Sequence, residues 1–151
     1  MQSYGVENPR VGLLSVGVEE GKGSHFVRAA YDLLEQMPIN FAGNMEARDA
    51  LTGEYDVIVS EGFSGNVLLK TVEGTGLLAG TLLRAIHDPA SALTNELNFS
   101  LRGASMFLGL KKPLFKAHGS ATAQTVPNAV RRMLRFLQTD FISRAEAAFH
   151  A

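Results

Sequence analysis

The sequence contains no cysteine. Structural disulfides, thiolate metal sites and cysteine nucleophiles are therefore excluded. It has no charge imbalance either: the formal net charge at neutral pH is −1, which gives no ground for a nucleic-acid partner. Repeats and low-complexity segments are absent. Met1–Pro9 has neither a basic flank nor an apolar run, so it is not expected to be a secretory signal. The longest apolar stretch, from Val67, is interrupted by Lys70, Glu73 and Arg84. It is too polar for a bilayer span, which takes about 20 predominantly apolar residues. What is present is enough apolar content, 46% against 19% charged residues over 151 positions, to bury the core of one ordinary domain.

Val11–Val16 is almost continuously apolar and reads as a parallel strand covered on both faces. A polar, glycine-rich loop follows over Gly17–Ser24, with Lys22 in it. Ser24 is placed to cap a helix that carries Phe26, Val27, Ala30, Leu33, Leu34 and Met37 on one side and ends at Pro38. Ile39–Gly43 reads as a short strand, Asn44 as the cap of a brief helix over Met45–Leu51, and Gly53 as the C-terminal cap of that helix. Val57–Val59 is a third strand. Strands alternating with helices of this length predict a parallel α/β sheet with right-handed crossovers.

The helix expected after Asn66 contains Gly74, Gly76 and Gly80, which permit close approach by another helix. That pattern fits core packing, a subunit contact or a contact with a membrane surface. Residues 87–105 are broken by Asp88-Pro89 and read as an excursion with a short helix from Ser91. Lys111–Ala117 reads as a strand with Pro113 at its start. It runs into His118–Ala123, a second strand-to-helix turn rich in small residues. The last helix is expected from about Thr122, with Val130, Met133, Leu134, Leu137 and Phe141 on one side. Arg131, Arg132 and Arg135 form its solubilising face.

The chemistry centres on Asp56–Gly74. The strand is expected to break at Gly62, turn through Phe63–Asn66 and restart as a helix. A strand feeding a glycine turn and a helix N-terminus presents free backbone N–H groups, which suit an anion or a developing oxyanion. In open α/β sheets ligands sit at the carboxyl ends of strands, where this turn lies. An ordinary βα connection has the same composition. The loop at 17–24 is not a nucleotide P-loop: three residues rather than four separate Gly17 from Gly21, and Gly23 intervenes before Ser24. It offers backbone donors and the Lys22 ammonium, a group that also fits a solvated surface charge.

Five stretches occur in order: Asn8–Leu14, Glu19–Gly23, Ile39–Asp49, Glu61–Thr71 and Lys116–Ser120. Together they resemble the C-terminal half of the PlsX family, the bacterial phosphate acyltransferases of phospholipid synthesis, and they cover nearly all of the chain. The resemblance implies a Rossmann-like α/β fold, a mostly parallel sheet with helices on both faces, related to phosphotransacetylases and isopropylmalate dehydrogenases. It implies transfer of an acyl group from acyl carrier protein to inorganic phosphate, with no cofactor and no metal. It also implies a homodimer, cytoplasmic, with peripheral contact at the inner face of the membrane. Carried over residue by residue, the family's functional lysine and asparagine fall on Lys22 and Asn66. Lys22 is expected to bind phosphate or stabilise the oxyanion, and Asn66 to donate a hydrogen bond to substrate or intermediate. Gly21, Gly23, Ser64, Gly65, His118 and Ser120 are expected to line the phosphate and substrate site.

The sequence departs from the family at Glu61, where an aspartate is usual, and at Ser15 and Val18, where the family has asparagine and glutamate. The family's N-terminal half, with its Asp-x-Met-Gly-Gly-Asp motif, is not in this sequence. Residues 1–151 are thus expected to form a single α/β domain, the C-terminal portion of a longer enzyme, inactive alone if the other half completes the site. The uncovered sheet edge predicts self-association. One alternative is a non-catalytic module of the same fold that dimerises or binds acyl carrier protein or membrane. The other is an oxidoreductase of the isopropylmalate dehydrogenase type, whose usual metal-binding cluster of acidic residues has no convincing counterpart in the sequence.

Overall fold

Val11–Leu14 (β1) is buried at every position, because it has a strand on each edge and is covered on both faces. Its neighbours are Phe41–Met45 (β2) and Val57–Val59 (β3), both parallel to it, in the order β2-β1-β3. The computed structural model describes residues 5–86, 104–117, 119 and 121–149. The chain divides into two compact units, the first running to Val72 and the second beginning at Glu73.

In the first unit, β1 and β3 pair in register from Val11 and Val57 to Leu13 and Val59. Their N-terminal ends are clipped together. The Asp56 carboxylate accepts the Arg10 N–H at 2.8 Å, and the Arg10 guanidinium lies 3.1 Å from Glu54 and 5.2 Å from the Tyr55 ring centre. The core is Val11, Leu13, Leu14, Val27 and Met45. His25–Glu35 (α1) packs on β2 through an edge-to-face contact of Tyr31 with Phe41, ring centres 5.2 Å apart. The Ser24 hydroxyl accepts the Val27 N–H at 3.3 Å, so the expected cap is present. Only Val27 of the expected apolar face is buried; Phe26 and Leu33 are exposed.

The second strand differs from expectation. Val11 pairs with Phe41, but Leu13 pairs with Asn44, so β2 carries one extra residue in that interval. The bulge falls at Gly43, whose φ of +86° is open to glycine and strained for other residues. β2 therefore continues through Asn44 to Met45, and Asn44 is a strand residue, not a helix cap. The cap is Glu46, in a reciprocal capping box with Asp49 that opens a 3-10 helix over Ala47–Leu51. Gly53, with φ +80°, stands just past that helix as expected. The next helix, Gly62–Ile86 (α2), starts at Gly62 and includes the residues expected to form a turn. Gly76 and Gly80, further along it, are buried.

The second unit does not continue the parallel pattern. Ala104–Phe107 (β4) and Leu114–Ala117 (β5) form an antiparallel pair, with Ala104 opposite Ala117 and Phe107 opposite Leu114. The connection over 108–113 is too short for a crossover and closes a hairpin, with Gly109 at φ +79°. That is why the strand expected over Lys111–Ala117 begins only at Leu114. Thr125–Gln138 (α3) and Phe141–Phe149 (α4) replace the single last helix. The break is at Asp140, whose φ is +49° and whose carboxylate accepts the Ser143 hydroxyl at 2.8 Å. Phe136 is the buried anchor, 5.7 Å from the Phe115 ring and 5.2 Å from Phe141. The short helix expected from Ser91 lies outside the described residues.

Leu13 is 2% exposed at the centre of β1. Leu13→Ala is expected to cost about 2–5 kcal/mol through lost transfer energy and the cavity left behind. Urea unfolding followed by circular dichroism checks this as a lowered midpoint with an unchanged slope.

Candidate functional site

Because β1 and β3 are adjacent and parallel, the segments that leave their C-terminal ends emerge at one sheet edge. The order β2-β1-β3 adds a second constraint. The connection from β1 leads to β2 on one flank, while β3 lies on the other. Open α/β sheets bind ligands at such a reversal, outside the carboxyl ends of the strands. The loop after β1 carries Gly21, Lys22 and Gly23, and the link after β3 leads at once into the turns of α2 that carry Ser64, Gly65 and Asn66. Topology thus brings these six expected site residues to one edge. His118 and Ser120 lie outside the described residues.

The lysine loop is shaped by local bonds. The Lys22 N–H donates to the Glu19 carbonyl at 3.0 Å, closing a turn. Gly23 has φ +102°, and a Cβ there would fall 2.6 Å from Val27 Cγ1 and 2.9 Å from Ser15 Oγ. Only glycine fits. A Cβ on Gly17 would fall 3.2 Å from Lys22 Cγ, so the lysine stem passes alongside Gly17. Lys22 is exposed and makes no ion pair among the described residues. The Arg28 guanidinium donates to the Gly23 carbonyl at 3.3 Å. Beside Gly21 is an open hollow of about 480 Å³, lined also by Glu20, His25, Arg28, Ala29 and Asp32. Its two carboxylates oppose the guanidinium, so the hollow itself does not favour an anion.

The start of α2 corrects the expectation of free donors. The Glu61 carboxylate accepts the Phe63 N–H at 2.7 Å and the Ser64 N–H at 2.5 Å. Glu61 is thus the helix cap, one carboxylate taking two amides. The Ser64 hydroxyl bonds the same carboxylate and, with the two amides, lowers the Glu61 pKa below its ordinary value. Ser64 is committed to Glu61 in this structure. Gly65 lies close against Ser60: a Cβ on it would fall 2.1 Å from Ser60 Oγ and make that hydroxyl move. Asn66 follows, exposed.

Sequence reasoning missed two residues. One is Glu61, whose signal was a carboxylate directly before a helix start. The other is Asn44, buried at the end of β2, whose Nδ2 donates to the Glu19 carbonyl at 2.7 Å.

A depressed carboxylate pKa contributes stability above the unfolded-state value that is lost as pH falls through the folded-state value. The Glu61 cap is therefore intact at neutral pH and released only in acid, below the ordinary glutamate range. Glu61→Ala is expected to speed hydrogen exchange at the Phe63 and Ser64 amides at neutral pH and to abolish the acid-dependent step at those amides, both read by NMR.

A family model described as "Fatty acid synthesis protein" matches residues 2–144. A phosphate acyltransferase of Oceanobacillus iheyensis is 45% identical over 141 residues, 84% of this chain and 42% of the relative. One from Geobacillus thermodenitrificans is 39% identical, covering 97% of this chain and 49% of the relative. One from Bacillus cereus is 40% identical, covering 91% and 46%. The chain spans about half the length of these curated relatives. With a match over nearly its whole length and relatives well above 30% identity, the chain belongs to the fatty acid synthesis protein family.

Proposed function

We propose that this chain is the C-terminal portion of a phosphate acyltransferase. An acyl group passes from the thioester of an acyl carrier protein to inorganic phosphate, giving acyl phosphate and the free carrier thiol. The observation that carries this reading is the likeness to proteins named phosphate acyltransferase, at 39% to 45% identity. The shared edge of the two segments supports it.

The chemistry follows from the groups at that edge. A phosphate oxygen attacks the thioester carbonyl, the C–O bond forms, and negative charge develops on the carbonyl oxygen. The C–S bond then breaks, and the departing thiolate takes up the proton that phosphate gives up. A thiolate is a stable enough leaving group that no covalent nucleophile is needed. In this reading Lys22 holds phosphate or stabilises the oxyanion, with the backbone of Gly21 and Gly23 beside it. Asn66 donates a hydrogen bond to the substrate or the intermediate. Donors fixed before the charge develops lower the barrier, and holding two reactants together supplies much of the rest. Ser64 joins the site only if Glu61 releases it, so a positioning role for Ser64 fits better than direct contact.

A homodimer is part of the proposal. Leu77, Leu78 and Leu82 on α2 are exposed, and a second copy covering them would remove apolar surface from water. Among the described residues no helix is long and apolar enough to cross a membrane. A peripheral contact at the inner membrane face is the corresponding proposal for location.

The test is thiol release from acyl carrier protein thioesters with phosphate, run on this chain and on the chain completed to the length of its relatives. Release is expected from the completed protein, and Lys22→Ala is expected to lower it about 100-fold, the scale of losing one oxyanion donor. No release from the completed protein contradicts the acyltransferase reading. Unchanged release in Lys22→Ala contradicts the role of Lys22.

A further inference from the structure

We propose that Asn44, re-aimed by the bulge at Gly43, is the positioning residue of the lysine loop. The loop is tied to β2 at two points. The Ser15 N–H donates to the Met45 carbonyl at 2.9 Å, extending the strand ladder into the start of the loop. Deeper in, Asn44 Nδ2 donates to the Glu19 carbonyl at 2.7 Å, across 25 positions of sequence. That same carbonyl accepts the Lys22 N–H at 3.0 Å. A carbonyl oxygen has two lone pairs, and here one takes the strand's amide and the other the lysine's own backbone. Asn44 is therefore one shared acceptor away from Lys22.

The bulge is what makes this possible. Without the extra residue in β2, alternation along the strand would place the side chain now at Asn44 on the opposite face. Bulges re-aim side chains in this way beside functional sites. Gly43 takes the φ of +86° that the bulge requires. A Cβ there would meet only Tyr31, at 3.7 Å, so space does not demand the glycine; the backbone angle does.

Stability alone does not account for an asparagine at this place. Its residue is 4% exposed, and its Oδ1 has no hydrogen-bond partner among the described residues, nor has the buried Ser15 Oγ. An unpaired buried acceptor is a liability that an apolar side chain of similar volume would not carry. What the carboxamide supplies, and leucine would not, is the one bond to Glu19.

The loop-positioning claim stands on geometry; its consequence for phosphate rests on the function proposed above. The test therefore has two arms. In the first, Asn44→Leu is made in this chain and exchange at the Lys22 amide is followed by NMR, with thermal melting as a control. The Lys22 amide is expected to exchange about tenfold faster while the melting temperature holds or rises. Exchange within about twofold of the unsubstituted chain overturns the proposal. If Asn44→Leu does not fold, isosteric Asn44→Asp replaces it. Its carboxylate faces the Glu19 carbonyl at neutral pH and loosens the loop. On protonation it becomes a donor, so protection of the Lys22 amide returns in acid; no return overturns the proposal.

In the second arm, thiol release is measured in the completed protein. Asn44→Leu is expected to raise KM for phosphate about tenfold with kcat within about twofold, as for a residue that places a binding group. An unchanged KM in an otherwise active enzyme overturns the positioning role. Inactivity of the unsubstituted completed protein, with a loosened loop in the first arm, sinks the acyltransferase reading and leaves the loop-positioning claim supported.

Discussion

The central constraint is the double burial of β1. Its four residues are bonded on both edges and covered on both faces, so its C-terminal end must open into a loop at the sheet rim. The neighbouring β3 is parallel and ends at the same rim. From these two facts follows the placement of the lysine loop and the first turns of α2 at one edge. The polar clip of Arg10, Glu54, Tyr55 and Asp56 closes the opposite end of the same strand pair, leaving the C-terminal rim as the side with adaptable backbone.

The two segments at that rim differ in how their polar groups are committed. The α2 terminus already holds an anion, the Glu61 carboxylate, which takes the Phe63 and Ser64 amides. In the lysine loop, Lys22 is exposed and outside any ion pair among the described residues, with Glu19 and Glu20 in the same loop. In the proposed function, a dianion such as phosphate is drawn to the Lys22 ammonium and repelled by Glu61. In that proposal phosphate meets the loop first, and Asn66, beyond the capped amides, is the donor offered to the substrate.

Much of the first unit was legible in the sequence because it obeys simple patterns. The apolar run at 11–14, the Ser24 cap, the short strand at 57–59 and Gly53 past its helix are local signals that tertiary structure did not override. Asn44 was misread because asparagine after glycine has the sequence of a strand end and helix cap, while a bulge is a pairing event between two strands and leaves little local trace. Glu61 was noticed only as a departure, since glutamate is not among the preferred caps. In the second unit the periodicity of Leu137 and Phe141 continues across Asp140, so the break is invisible to a pattern of apolar spacing. The strand β4 was not legible, because it begins, at Ala104, at the end of a segment that reads as an excursion with a short helix, so β5 had no visible antiparallel partner.

In the proposed function the lysine loop and the start of α2 serve one ligand. The most direct test is titration of the isotope-labelled chain with inorganic phosphate, followed by amide chemical shifts. A single shared site requires Gly21, Lys22 and Gly23 to shift together with Gly65 and Asn66, along one saturation curve. Shifts confined to one of the two segments, or separate curves for each, would contradict it.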